Sequence, residues 1–97
     1  MAKGQFNPSM VNAIFKRDGG RCIYCGALAQ EIDHVIPFEW GGKQIRSNGV
    51  CACIKCNRQK RDSPNDITFF TRAIFWLLQQ EEDVTWMDDF VQPSTSA

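Results

Sequence analysis

The first periodic stretch of the chain starts at Asn7-Pro8, where Asn suits an N-cap and Pro the first helical position. Val11, Ile14 and Phe15 then fall at i, i+3 and i+4 and give a helix one apolar stripe. Lys16 and Arg17 match the dipole at its C-terminal end, and read equally well as contacts to a polyanion; Asp18-Gly19-Gly20 stops it. Over residues 31–36 the pattern changes to alternation, Ile32, His34 and Ile36 against Asp33 and Val35, which predicts a short strand ended by Pro37. On such a strand Asp33 and His34 point to opposite faces unless a bulge re-aims one of them. Phe38, Trp40 and Gly41-Gly42 open a loop that closes near Ser47-Asn48-Gly49, and Val50 to Cys53 predicts a second strand, antiparallel to the first. Lys55, Arg58, Lys60 and Arg61 lie at helical spacings in a short basic helix closed by Ser63-Pro64.

Asp66 is placed to cap a further helix, whose stripe is Ile67, Phe70, Ile74, Leu77 and Leu78. Phe69, Ala73 and Trp76 widen that stripe beyond one face, so the helix either covers the rest of the chain or forms a homodimer seam over residues 67–78. Intramolecular covering, and hence a monomer, is the favoured expectation, with the acidic residues behind the helix facing away from any polyanion. Glu81, Glu82 and Asp83 oppose the dipole and predict a frayed end. Trp86, Met87 and Phe90 suit a last short helix. The class is α+β, in one domain over residues 7–91, with 1–6 expected as a flexible arm and 92–97 as a disordered tail.

At 97 residues there is room for one small core, and a metal staple is the expected aid to it. No apolar run is long enough to span a membrane, and MAKGQFNPSM has no signal-peptide h-region. Five cysteines, an odd number with metal-type spacing, argue for a reducing compartment and so the cytoplasm. The net charge of zero hides an asymmetry: up to Arg61 ten Lys/Arg face four acids, and beyond it Arg72 stands against seven. That pattern suits a polyanion-binding front and an acidic back, or simply a solvated basic face.

Two Cys-x-x-Cys pairs, Cys22/Cys25 and Cys53/Cys56, frame the centre of the chain. Two such pairs at this separation read as a tetrahedral, four-thiolate structural Zn²⁺ site. Gly26 allows the tight turn of the first knuckle. A closed site of this kind has no open position for chemistry, which directs attention to Asp33 and His34, the only histidine. Cys51 is left without a metal partner and reads as a buried strand residue, with replacement of Cys53 as ligand the alternative.

In order, the central residues are Cys22-x2-Cys25, Asp33-His34, Asn48, Cys53-x2-Cys56-Asn57 and Lys60. This series resembles the HNH endonuclease family, in its zinc-bound branch with the ββα-metal fold. The match covers residues 17–61, with a helical extension over 65–91, and Asn57 in third position makes it an H-N-N variant. Gly49 departs from the pattern, since members usually carry an apolar residue there. The resemblance implies metal-dependent hydrolysis of DNA phosphodiester bonds, nicking double-stranded DNA with weak sequence preference. It implies His34 as general base, Asp33 and Asn57 as ligands of a catalytic Mg²⁺, Mn²⁺ or Ni²⁺, and Asn48 as the residue that ties the loop and orients His34. Lys60, Arg58 and Arg61 would hold the phosphate backbone, in a bacterial or phage-infected cell, with phage packaging, restriction or a mobile element as settings.

The residue types suit that chemistry in their own right. Histidine titrates near neutrality and serves as a base when held neutral, while a carboxylate and an amide carbonyl are oxygen donors for a hard cation. Asn57 reads alternatively as a polar cap of the basic helix, and Lys60 as a solvated charge. Two other classes share the cysteines: a non-catalytic zinc-ribbon module that binds nucleic acid, and a rubredoxin-like iron carrier, which the basic front disfavours.

Overall fold

The computed structural model describes residues 5–91, so the expected tail at 92–97 and the first four residues of the expected arm lie outside it. Helix α1 spans Pro8–Asp18; the Asn7 side chain accepts from Met10 N at 2.8 Å, and left-handed Gly19 closes the other end. Strands β1 (Glu31–His34) and β2 (Gly49–Ala52) pair antiparallel, with Ile32 opposite Cys51 and Asp33 opposite Val50. The first strand ends two residues earlier than the alternation predicts. Helix α2 follows over Ile54–Asp62, α3 over Thr68–Gln79 and α4 over Asp88–Val91, with single 3-10 turns at Phe38–Trp40, Arg46–Asn48 and Thr85–Met87. No helix among the described residues is long and apolar enough to cross a membrane.

Alternation splits the two-stranded sheet into two packed faces. On one face Cys51 meets Phe6 and Ile14, with Val11, Phe15 and Ile32 around them. On the other, Val50 and Ala52 join Tyr24, Val35, Ile36, Ala73, Leu77 and Met87. Thus α1 covers one side of the ribbon and α3 the other, the intramolecular arrangement that the wide stripe of α3 allowed. Phe75 and Leu78 stay outside that packing and are exposed. Phe6, read from the sequence as part of a loose arm, is instead buried at 6 % exposure.

Gly49 owes its identity to this packing. A Cβ there would lie 2.6 Å from Ile14 Cδ1 and 3.0 Å from both Ile32 Cγ2 and Phe6 Cζ. The volume that an apolar side chain would take is already filled from α1 and the segment before it. Gly49→Val is therefore expected to destabilise the fold by about 1–3 kcal/mol through overpacking, despite valine's preference for strands. An unchanged urea midpoint would contradict this account.

A buried ion pair fastens the helices to the ribbon. Asp18 accepts from Arg17 Nε at 2.6 Å, from Trp76 Nε1 at 2.8 Å and from the backbone N–H of Cys51 at 2.9 Å. Arg17 also donates to Gly49 O and Arg46 O, and pairs with Glu82, which in turn takes Arg46 at 2.9 Å. Arg17 is thus neither a dipole-compensating surface charge nor free for DNA. Nor does every acid behind α3 face away from the basic front, because Glu82 lies between two of its arginines. The same anchoring removes the expected fraying: Glu81 turns left-handed (φ 59°), and Glu82 N and Glu81 N bond to Leu77 O and Leu78 O. That is a Schellman closure of α3. At its other end the N-cap position falls on Ile67, which makes no side-chain cap bond, and not on Asp66 as the sequence suggests; Asp66, one residue earlier, accepts from Thr68 N at 2.9 Å.

Candidate functional site

The four thiols of Cys22, Cys25, Cys53 and Cys56 lie within 4.8 Å of one another, and Cys25 Sγ is 3.7 Å from Cys53 Sγ. Four sulfurs about 2.3 Å from a central Zn²⁺ stand about 3.8 Å apart, so this donor set fits the ion. The first pair sits on a turn in which Gly26, left-handed at φ 85°, donates to Cys22 O. The second pair opens α2: Cys53 is the N-cap, and its sulfur accepts from Cys56 N at 3.4 Å. That N–H chiefly lowers the Cys53 thiol, while burial raises that of its neighbour Cys56. Cys51 stands apart, facing α1 with its thiol toward Ile14 O; burial pushes it up to about 12. It is not among the four clustered sulfurs, which retain Cys53.

The first cysteine turn also reaches the acid of β1. Tyr24, between the first two cysteines, donates its hydroxyl to Asp33 Oδ2 at 2.6 Å. Burial, followed by the Asp33 charge, raises the phenol well above its usual range, so it remains a donor. Lys60 reaches the same oxygen at 2.8 Å and donates also to His34 O and Val35 O. Lys60 is therefore not a free phosphate holder as read from the sequence. It lies one turn after Asn57 on α2, on the side facing β1, and its three N–H groups meet three internal acceptors. Arg58 and Arg61 do remain exposed. Both inward donors converge on Oδ2, and Oδ1 of Asp33 takes no hydrogen bond among the described residues.

His34 follows on the same strand. Its ring stacks on Phe6, with centroids 4.4 Å apart and planes at 27°. Its Nε2 is buried and has no hydrogen-bond partner among the described residues. Burial, the largest influence, lowers its pKa from the ordinary 6.5; the Asp33 charge opposes this and Lys60 adds to it. The imidazole is accordingly neutral at physiological pH.

Asn48 is fully buried and closes the loop between the strands. Its Oδ1 accepts from Ile36 N at 2.7 Å, and its Nδ2 donates to Ile36 O at 3.0 Å and Lys43 O at 2.7 Å. Every bond is to backbone, so Asn48 shapes the chain that follows His34. Gly42 permits the return of that loop, since a Cβ there would collide with the carbonyl of Ile36. On α2, Asn57 donates its Nδ2 to Glu31 Oε1 at 2.7 Å, which leaves its carbonyl oxygen available.

Asp33, His34 and Asn57 line one cavity of about 630 Å³ between β1, the loop after it and α2. The sequence placed these three together; Tyr24, Phe6 and the inward turn of Lys60 it did not. Their only sequence signals were an aromatic inside a metal knuckle, an aromatic two residues before a helix, and the spacing from Asn57 to Lys60.

No curated protein and no solved structure matched the chain. The HNH endonuclease family model matches residues 22–63, which hold both cysteine pairs, the Asp33-His34 strand, Asn48, Asn57 and Lys60. Residues 22–63 of this chain belong to the HNH endonuclease family.

Proposed function

We propose that the protein is a divalent-metal-dependent endonuclease that hydrolyses DNA phosphodiester bonds one strand at a time, with weak sequence preference. The observation that carries this reading is the single cavity shared by Asp33, His34 and Asn57, drawn from strand β1 and from helix α2, which opens on two of the four clustered cysteines. His34, held neutral by burial, takes the proton from the attacking water as its oxygen bonds to phosphorus and the bond to the 3′-oxygen breaks. Oδ1 of Asp33 and the carbonyl of Asn57 suit a hard cation such as Mg²⁺ or Mn²⁺ and leave positions open for water and phosphate. Such an ion, when bound, neutralises charge on the scissile phosphate and the leaving oxygen.

Around that centre the remaining residues position or bind. Tyr24 and Lys60 hold the far oxygen of Asp33, and Asn48 fixes the backbone after His34. Exposed Arg58 and Arg61, on a helix that lines the cavity, are available for backbone phosphates, which favours contact without base reading. Incubation of the zinc-loaded protein with supercoiled plasmid across Mg²⁺, Mn²⁺ and Ni²⁺ tests the proposal. Open circles are expected first; intact plasmid with every cation would leave a binding-only zinc module.

Asn57 is the ligand assignment most open to a direct test. Asn57→Ala removes one of two protein ligands, and nicking is expected to need at least about tenfold more Mg²⁺ for half-saturation. Asn57→His is expected to retain activity, shifted toward Mn²⁺ or Ni²⁺, because imidazole suits softer ions. If Asn57 serves only the helix start, the alanine variant loses about 1 kcal/mol of stability with an unchanged metal dependence.

A further inference from the structure

The cavity that holds Asp33, His34 and Asn57 has a second wall unlike the first. Phe38, Trp40, Ile67, Phe70 and Phe90 line it, and Arg61 stands beside them. Trp40 is 62 % exposed, Phe38 36 % and Ile67 73 %, large apolar surface left open beside polar groups. The wall is also braced. Phe90 packs edge-on against Trp86 at 5.9 Å, and Trp86 donates to Ser47 Oγ at 2.9 Å. Burial does not account for Trp40 and Phe38, which sit on the 3-10 turn four to six residues beyond His34.

A fully paired duplex has little use for such a wall. It presents phosphates outward and keeps the faces of its bases stacked on one another. Glu39 and Asp66 stand on the same wall, so a second phosphate strand laid there would meet negative charge. The basic side is moreover thinner than the sequence suggests, because Arg17 and Lys60 are engaged internally and Arg46 pairs with Glu82. An unstacked base, by contrast, offers a π-face to an aromatic ring while its own phosphate stays near arginine. Its exocyclic amine could donate to either acid. A cavity of about 630 Å³ falls within the roughly 300–1,000 Å³ of small-ligand pockets and is open enough for one nucleotide.

We infer that Trp40, with Phe38, is a stacking platform for an unpaired nucleobase next to the scissile phosphate, so that the preferred substrate is DNA with an unpaired nucleotide at the cleavage point. This rests on the endonuclease reading for the position of the phosphate, and it adds the substrate class. Trp40 binds and orients; it takes no part in proton transfer.

The test uses zinc-loaded protein without other added cations and three labelled DNAs: a short single strand, a duplex with a one-nucleotide bulge, and the same duplex fully paired. The two unpaired substrates are expected to bind more tightly than the paired duplex. Trp40→Ala should weaken them about tenfold, as loss of one base–aromatic stack does, and Trp40→Phe should restore most of that loss. The exposure of Trp40 keeps folding out of the comparison, with zinc content as the check. Equal weakening on all three DNAs, no weakening on any, or no measurable binding to the unpaired pair overturns the inference. Binding of the bulged duplex alone would assign the base to a distorted duplex rather than a free strand. Adding Mg²⁺ or Mn²⁺ separates the two claims. Selective, Trp40-dependent binding without cleavage defeats the nuclease and keeps the platform, whereas equal cleavage of paired and bulged DNA by wild type and Trp40→Ala keeps the nuclease and defeats the platform.

Discussion

Cys53→Ser is expected to abolish stoichiometric metal and with it most of the folded structure. Cys53 does two things at once: it supplies a sulfur 3.7 Å from that of Cys25, and it caps α2 through the N–H of Cys56. A structural Zn²⁺ contributes about 10–16 kcal/mol of binding free energy in zinc-finger peptides, which matches or exceeds the roughly 5–15 kcal/mol total stability of ordinary domains. No repacking of a 97-residue chain offsets a loss of that size. Far-ultraviolet circular dichroism and elemental analysis of the purified variant are the measurements, and prolonged chelation of the wild type should give the same result. Cys51→Ser is the control: its thiol faces Ile14 on the other side of the ribbon, so metal content should remain. Folded wild-type protein without stoichiometric metal would overturn the scaffold role of the cluster.

What could be read in the sequence is what depends on neighbours along the chain. The Asn7-Pro8 start of α1, the alternation through Asp33 and His34, and the two cysteine knuckles are local patterns, and each forms as the residues imply. Lys60 shows where that reading stops. At helical spacing among other basic residues it looks like one more surface charge, and only the packing of α2 against β1 turns its ammonium onto Asp33 and two carbonyls. Asp18 is similar: a helix-ending acid by pattern, it is in fact buried beneath Trp76, 58 residues away. Charge totals failed for the same reason, since they cannot tell Glu82 between two arginines from Asp88 in solvent.

Gly49 and Phe6 make one case from two separate oddities. A glycine where the family usually has an apolar residue looks like a weakened motif, and an aromatic before the first helix looks like an unattached arm. Together they are complementary, because Phe6 and Ile14 occupy the space above Gly49 and Phe6 then continues across the ring of His34. A segment outside residues 22–63 thereby sets the environment of the histidine. That coupling lies between residues 28 positions apart and leaves no periodic trace in either segment.

His34→Ala is accordingly expected to leave zinc content, fold and DNA affinity close to wild type and to lower nicking by roughly 10²-fold or more, the usual contribution of a positioned general base. The side chain is half-buried and stacks on Phe6 without donating or accepting a hydrogen bond among the described residues, so its removal breaks no polar network. The pH profile adds an independent check. The base must be neutral, and burial holds its pKa below 6.5, so the neutral fraction is already high at pH 7. Activity should then fall only as the pH drops through that lowered pKa, an acid limb below about 6.5 rather than above it. Added imidazole should restore part of the lost rate in His34→Ala, by entering the space the side chain leaves. Nicking by the alanine variant at near wild-type rate, with plasmid binding unchanged, would remove His34 from the chemistry and leave Asp33 and Asn57 as a cation site served by some other base.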